Sequence, residues 1–177
     1  MAQPSAACKR ALADATALCP NRNRASDGLI GDAVHQQRKS DHNDGNAFDL
    51  THDPANGVDC NFFSKLALLD YRVSYVIWNR QIYNTDMGEQ GWRPYSGSNG
   101  HTHHMHVSIK ATLRDIGSPW PWASLEPWNS GLNPKSYIKC TIFRLDWKDL
   151  RGAQAGCCGT HRARLTLMSS STDEPLR

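Results

Sequence analysis

A chain of 177 residues, 39% hydrophobic and 21% charged, is long enough for one domain of ordinary size with a tail, and a mean hydropathy of −0.60 marks it as polar and loop-rich. Its net charge of +3 comes from scattered basic residues, which argues against a nucleic-acid binder, since those carry a dense Lys/Arg face. No apolar run approaches the ~20 residues that cross a bilayer, and the opening Met-Ala-Gln-Pro-Ser-Ala-Ala-Cys-Lys-Arg lacks the apolar core of a secretory signal, so neither membrane insertion nor signal-directed export is expected.

In chain order, the alanine-rich residues 5–18 lack Gly and Pro and predict a helix, which stops at Cys19-Pro20 because the residue before proline disfavours helical backbone. Ser26-Asp27-Gly28 and Gly31-Asp32 are turn signals within a polar stretch from 21 to 40. Ala47-Phe48-Asp49-Leu50-Thr51 alternates as a short strand. Asp59 can cap a helix running to about Tyr71, with Phe62, Leu66 and Leu69 as its core stripe. Ser74 to Trp78 and Gln81 to Tyr83 are β-rich, and Asn79-Arg80 between them predicts a hairpin.

Residues 84–100, rich in Gly, Pro and Asn, read as a loop bordering a groove. The strand His104 to Ile109 puts His104, His106 and Ser108 on one face and Met105, Val107 and Ile109 on the other, by the period of two. Ser118-Pro119-Trp120-Pro121-Trp122 reads as a domain end. The expected division is a domain over 1–123 and an extension over 124–177, with one element around Tyr137 to Leu150. Six cysteines (8, 19, 60, 140, 157 and 158) show no C-x-x-C pair and read as free thiols in a reducing compartment; vicinal Cys157-Cys158 with His161 lacks a fourth ligand for a metal.

The chemistry concentrates in Ser40-Asp41-His42-Asn43-Asp44-Gly45-Asn46-Ala47-Phe48-Asp49 and in the distant run His101-Thr102-His103-His104-Met105-His106. Catalytic zinc uses three protein ligands and leaves one position open for water. His42 and Asp49 suit a ligand on a loop that turns at Gly45 and returns along a strand, with Phe48 pointing the other way into the core. His106 closes the triangle from the last strand. His104 shares its strand face and lies alongside, while His101 or His103 could also reach inward. His35, His52 and His161 read as structural. Arg38 could hold a substrate carboxylate bidentately, and Trp78, Trp92 and Tyr95 read as core more readily than as a substrate platform.

The pattern Ser40-x-His42-x-x-Gly45-x-Ala47-x-Asp49 with a terminal His104-x-His106 resembles the zinc motif of the D-alanyl-D-alanine carboxypeptidase superfamily, which includes Hedgehog-type domains, L-alanyl-D-glutamate endopeptidases of phage lysins and penicillin-insensitive murein endopeptidases. The wording Arg-Lys-Ser-Asp-His-Asn, Tyr-Val-Ile-Trp-Asn-Arg and His-x-His-Val-Ser looks most like lysin-associated members from actinobacteria and their phages. The resemblance covers roughly residues 22–122.

It implies an α+β fold, a small antiparallel sheet flanked by helices, with Zn2+ on the sheet face held by His42, Asp49 and His106. The carboxypeptidase and lysin branches place an acidic base three residues before the last ligand, where this chain has His103. The murein endopeptidase branch has His-x-x-His-x-His instead, which His101, His104 and His106 reproduce. The resemblance therefore implies His104 as base or transition-state stabiliser, assisted by His101, with Asp86 or Glu89 as carboxylate alternatives, and Ser40 as a hydrogen-bonding support of the site.

The expectation is a monomeric zinc metallopeptidase, a hydrolase of the endolysin type that cuts peptidoglycan stem peptides. It binds no nucleic acid and waits in the cytoplasm until lysis releases it to the cell wall. Two rivals stand beside it: a zinc-containing cell-wall binding module without turnover, and a His-metal nuclease, which Asp41-His42-Asn43 superficially suggests and the modest charge disfavours.

Overall fold

The computed structural model describes residues 2–31, 37, 39–125 and 127, all within one compact unit of the chain, Met1–Ile138. The architecture is α+β: helix α1 (Ala6–Leu18), strand β1 (Ala47–Thr51), helix α2 (Cys60–Ala67) and strands β2 (Val73–Trp78), β3 (Gln81–Asn84), β4 (Arg93–Pro94) and β5 (His104–Ile109). The five strands form one antiparallel sheet in the order β1-β5-β2-β3-β4.

Alternation divides the sheet into two faces. Phe48 and Leu50 of β1, Met105, Val107 and Ile109 of β5, and Val76 and Trp78 of β2 are buried on the face that packs against the helices. The opposite face carries a row of residues paired strand to strand: Asp49, His106, Ile77, Ile82 and Arg93. A parallel row runs Ala47, Ser108, Tyr75 and Asn84. Of the site residues expected from sequence, Asp49, His104 and His106 thus lie on the face away from the core.

Ser5 caps α1 by accepting from Cys8 N, at 3.1 Å. The far end of the domain then pins this helix: the Trp120 and Trp122 indoles stack at 4.8 Å and donate to the carbonyls of Ala7 and Ala11, and Trp120 N donates to Asp14 Oδ2. Both tryptophans are buried and press edge-on against Phe48. Arg72, fully buried, joins the same segment to the sheet. Its guanidinium forks onto Asp70 at 2.6 and 2.8 Å, donates to Ile116 O and Ser118 O, and sits 4.6 Å from the Trp120 ring.

Two expectations are corrected. Helix α2 ends at Ala67, short of Tyr71, because Leu69 and Asp70 close tight turns onto Leu66 and Ala67 and the Asp70 carboxylate then takes Arg72 N. Its buried face is Cys60, Phe63, Ser64 and Ala67, whose mostly small side chains let the helix lie close to the sheet. Phe62 and Leu66 are half-buried beside it, and Leu69 is 43% exposed. The span 84–100 is also more than a loop: a 3₁₀ segment (Thr85–Gln90) precedes β4, which adds a fifth strand by pairing Arg93 with Ile82.

The β2–β3 hairpin turns at Asn79 and Arg80, both at positive φ (48° and 64°), the geometry of a twist-matched two-residue turn. The extension expected over 124–177 lies outside the described residues except Ser124, Leu125 and Pro127, as do Cys140, Cys157, Cys158 and His161. Cys8, Cys19 and Cys60 are free and buried, and burial pushes their thiols up, to about 11, 11 and 12. No helix among the described residues is long and apolar enough to cross a membrane.

Candidate metal centre

His42 sits in a tight turn built by local bonds: Asn43 N to Ser40 O at 2.9 Å, Gly45 N to His42 O at 3.1 Å and Asn46 N to Asp41 O at 2.8 Å. Gly45 takes φ +69°, and a Cβ there would collide with the Gln3 carbonyl, so only glycine allows this return into β1. Ser40 Oγ accepts from His42 N at 3.4 Å, so it supports the backbone of the turn rather than the imidazole. Asp49 and His106 need no loop to meet, because they are direct partners across β1 and β5.

The three side chains converge. His42 Nε2 lies 3.1 Å from His106 Nδ1 and 3.2 Å from Asp49 Oδ2, and His106 Nδ1 lies 3.0 Å from Asp49 Oδ1. His42, Asp49 and His106 therefore form a group that could hold a metal ion. The donor set fits one: donors around a tetrahedral ion at ~2.1 Å stand roughly 3.4 Å apart. His106 strengthens the case. Its Nε2 lies 3.0 Å from Ser108 Oγ, whose own proton goes to Asp41 Oδ2 at 2.6 Å. Ser108 then accepts from His106, so Nε2 carries a proton and Nδ1 is the nitrogen turned toward Asp49. A cation held between Nδ1 and the carboxylate, whether a proton or a metal ion, makes that arrangement favourable.

Without a metal ion, hydrogen bonding and charge among the three side chains play that part. Burial would raise Asp49, but hydrogen bonds and charge from His106 and His42 outweigh it and hold the carboxyl well below its usual range. Burial would lower His42, yet Asp49 overcomes it and the imidazole is raised, helped by a hydrogen bond to the backbone of Leu29.

Gly28 cradles the carboxylate from the other side. It exchanges backbone hydrogen bonds with Asp49 at 2.8 and 3.3 Å, and a Cβ on it would lie 3.1 Å from Asp49 Oδ2. The Tyr75 ring stacks on His106 at 5.6 Å, and its hydroxyl hydrogen-bonds Ser108 and Asp41.

His104 and His101 stand beside this triad and with Asp49 form a second, overlapping group of ligand type. His104 Nε2 is 3.8 Å from Asp49 Oδ2, while its Nδ1 is buried with no hydrogen-bond partner among the described residues. The His101 ring packs edge-on against those of His104 and His106, at 5.0 and 5.5 Å. Its φ of +47° is held by bonds to the hairpin turn, Asn79 N to His101 O and Arg80 N to Gly100 O, and by Asn99 Oδ1 accepting from His101 N. His101 Nδ1 lies 2.7 Å from Asn99 O and so donates, leaving Nε2 as an acceptor. Burial, then the neighbouring histidines, push His101 down to about 4. Burial likewise lowers His104.

His103 is exposed, so the position of the acidic base is not in the site. Asp86 faces solvent, 4.0 Å from Lys110 Nζ, and Glu89 is exposed as well. His52 is structural: its Nδ1 accepts from Cys60 N at 3.1 Å and its ring lies against Trp78. Trp78 is buried, Trp92 packs on Tyr83, and Tyr95 stands 5.6 Å from His101 at the edge of the centre. Arg38 and His35 lie outside the described residues.

Sequence reasoning missed Gly28, Asp41, Tyr75 and Arg93. The Arg93 guanidinium donates to Asn84 Oδ1 at 2.5 Å, and its Nε is buried without a partner among the described residues. Ser108 stands on the face that strand alternation predicts, and its role comes from His106 and Asp41.

The family model described as VldE, C-terminal domain, matches residues 5–106, more than half of the chain, and the chain belongs to that family. The matched span takes in His42, Asp49, His101, His104 and His106. None of the curated proteins and none of the solved structures compared with the chain matches it.

Proposed function

We propose that this protein is a zinc-dependent peptidase that hydrolyses peptide bonds of peptidoglycan. The observation that carries the reading is the meeting of His42 Nε2, Asp49 and His106 Nδ1 within 3.0–3.2 Å, in the order and spacing of the carboxypeptidase-type motif. Two imidazoles and one carboxylate are a ligand set of catalytic zinc. When bound, zinc would supply Lewis acidity toward a carbonyl oxygen and lower the pKa of water.

The protein's own residues would supply the rest. His104, whose Nε2 stands 3.8 Å from Asp49 Oδ2, would take the proton from the attacking water at that nitrogen and pass it to the departing amine. His101, fixed by Asn99 with Nε2 bare, serves as an auxiliary acceptor rather than a donor. Arg93, on the same sheet face, is a cation suited to a carboxylate of the substrate, the role expected of Arg38.

The test is to incubate purified protein with cell-wall sacculi and with plasmid DNA, with and without chelator, and to measure bound metal. Release of amino groups that stops with chelator and returns with zinc is the expected result, and masses of the released muropeptides identify the bond cut. Nicked DNA would replace the reading with a nuclease. Retained wall binding without release would replace it with a binding module, and failure to bind any metal would overturn it outright.

A further inference from the structure

We propose that Ser108 and Asp41 are positioning residues that set His106 as a metal ligand. Ser108 Oγ accepts the Nε2 proton of His106 and donates its own to Asp41, which fixes the ring so that Nδ1 faces Asp49 and His42. The inference rests on the metal-binding reading of the triad, and it concerns residues that neither touch the ion nor lie in the motif's fixed positions.

The geometry is specific at each link. Ser108 is fully buried on β5, two residues from His106 and on the same face. A serine there with nothing to bond would cost the desolvation of its hydroxyl, and an apolar residue would serve packing alone better. Its hydroxyl instead bonds His106 Nε2 at 3.0 Å and Asp41 Oδ2 at 2.6 Å, beside the Tyr75 hydroxyl. The second has the length of a hydroxyl bonded to a carboxylate.

Asp41 comes from the turn that also carries His42, so one short loop supplies a ligand with one residue and orients another ligand, 64 positions away, with its neighbour. Tyr75 completes the support, its ring stacked on His106 and its hydroxyl shared with Ser108 and Asp41. A carboxylate reaching a ligating imidazole through one hydroxyl fixes the tautomer and increases the electron density offered by the other nitrogen.

The test uses the full chain and metal alone, with no substrate. Zn2+ and Co2+ affinities are measured by competition with a chromophoric chelator, and the visible absorption of the Co2+ form reports ligand geometry. Ser108→Ala is expected to weaken binding by about 10- to 100-fold and to change the Co2+ spectrum, and a metal-free thermal melt beside it separates lost stability from lost affinity. Ser108→Thr, which keeps the hydroxyl, should restore both. Asp41→Asn keeps an acceptor but loses the charge, and its loss should be smaller than that of Asp41→Ala.

If Ser108→Ala and Asp41→Ala both bind within twofold of the parent with an unchanged spectrum, the positioning role is wrong while the triad stands. If the parent protein binds neither ion, the metal reading and this inference fall together. His106→Ala sets the floor of the measurement.

Discussion

A Cβ added to Gly28 would lie 3.1 Å from Asp49 Oδ2, closer than a carboxylate oxygen tolerates without shifting. Gly28 is not at positive φ, so alanine fits its backbone and the strain falls on the carboxylate alone. Gly28→Ala should therefore leave the melting temperature of the metal-free protein nearly unchanged and weaken metal binding by on the order of tenfold, as outer-layer changes at metal sites do. Isothermal titration with zinc beside a thermal melt separates the two effects. An unaltered affinity would show that Asp49 has room to move.

The two histidines on the site face should separate holding the ion from using it. His106→Ala should abolish zinc retention after desalting. His104→Ala should retain zinc and lose most turnover on sacculi, about 10²- to 10⁴-fold if it carries the proton. Full activity in His104→Ala would shift the proton-carrying role to His101 or to a residue outside the triad.

The titration of the metal-free centre has a definite sign on each side of neutrality. His42 is raised, so its pairing with Asp49 stabilises the fold fully below about pH 6.5 and is lost as pH rises through its folded value. Asp49 is depressed, so its own contribution is present above about pH 4 and fades only in stronger acid. His101 and His104 are lowered, so they favour the fold above about pH 6.5 and penalise it as pH falls, for His101 toward about 4.

Chelator-treated protein should be most stable near pH 6–7 and weaken on both sides. Asp49→Asn should remove the alkaline limb and His101→Asn the larger part of the acid limb. Metal affinity should instead grow with pH, roughly tenfold per unit for each proton released. Denaturation curves from pH 5 to 8.5 check this, and a monotonic profile would contradict it.

The C-terminal tryptophans are part of the core although they sit at the expected end of the domain. Trp122→Ala should cost about 3–5 kcal/mol, as large-to-small changes of buried aromatics do, and Asp70→Ala a similar amount by leaving Arg72 buried and unpaired. Truncation before Trp120 should abolish cooperative unfolding. Urea denaturation followed by tryptophan fluorescence and circular dichroism measures each. If Trp122→Ala cost under 1 kcal/mol, the segment would be an ornament rather than a support.

The residues that were legible in the sequence are those whose position follows from local periodicity. Asp49 and His106 lie on strands whose alternation is plain, and the Asn79-Arg80 turn announces its hairpin. Helix α2 misled because a stripe chosen by hydrophobicity picks Phe62, Leu66 and Leu69, whereas close packing against the sheet selects Cys60, Ser64 and Ala67 for their size.

β4 was invisible because its two residues include proline and exist as a strand only through pairing with β3. Gly28, Asp41 and Arg93 acquire their roles from partners distant in the chain or across the sheet, which no local pattern encodes. The backbone of His101 is likewise set by hydrogen bonds to the turn between β2 and β3. His103 stays out of the site because it lies in the bend just before β5 and faces solvent.

If His42, Asp49 and His106 hold an ion as proposed, its capture also checks strand alignment, because Asp49 and His106 face each other across one ladder, 57 positions apart. A slip of one residue between β1 and β5 would turn one chelating group into the oily layer and leave the other alone. Such a chain could not load. A fully metallated population would thereby be one whose first and last strands have zipped in the right alignment.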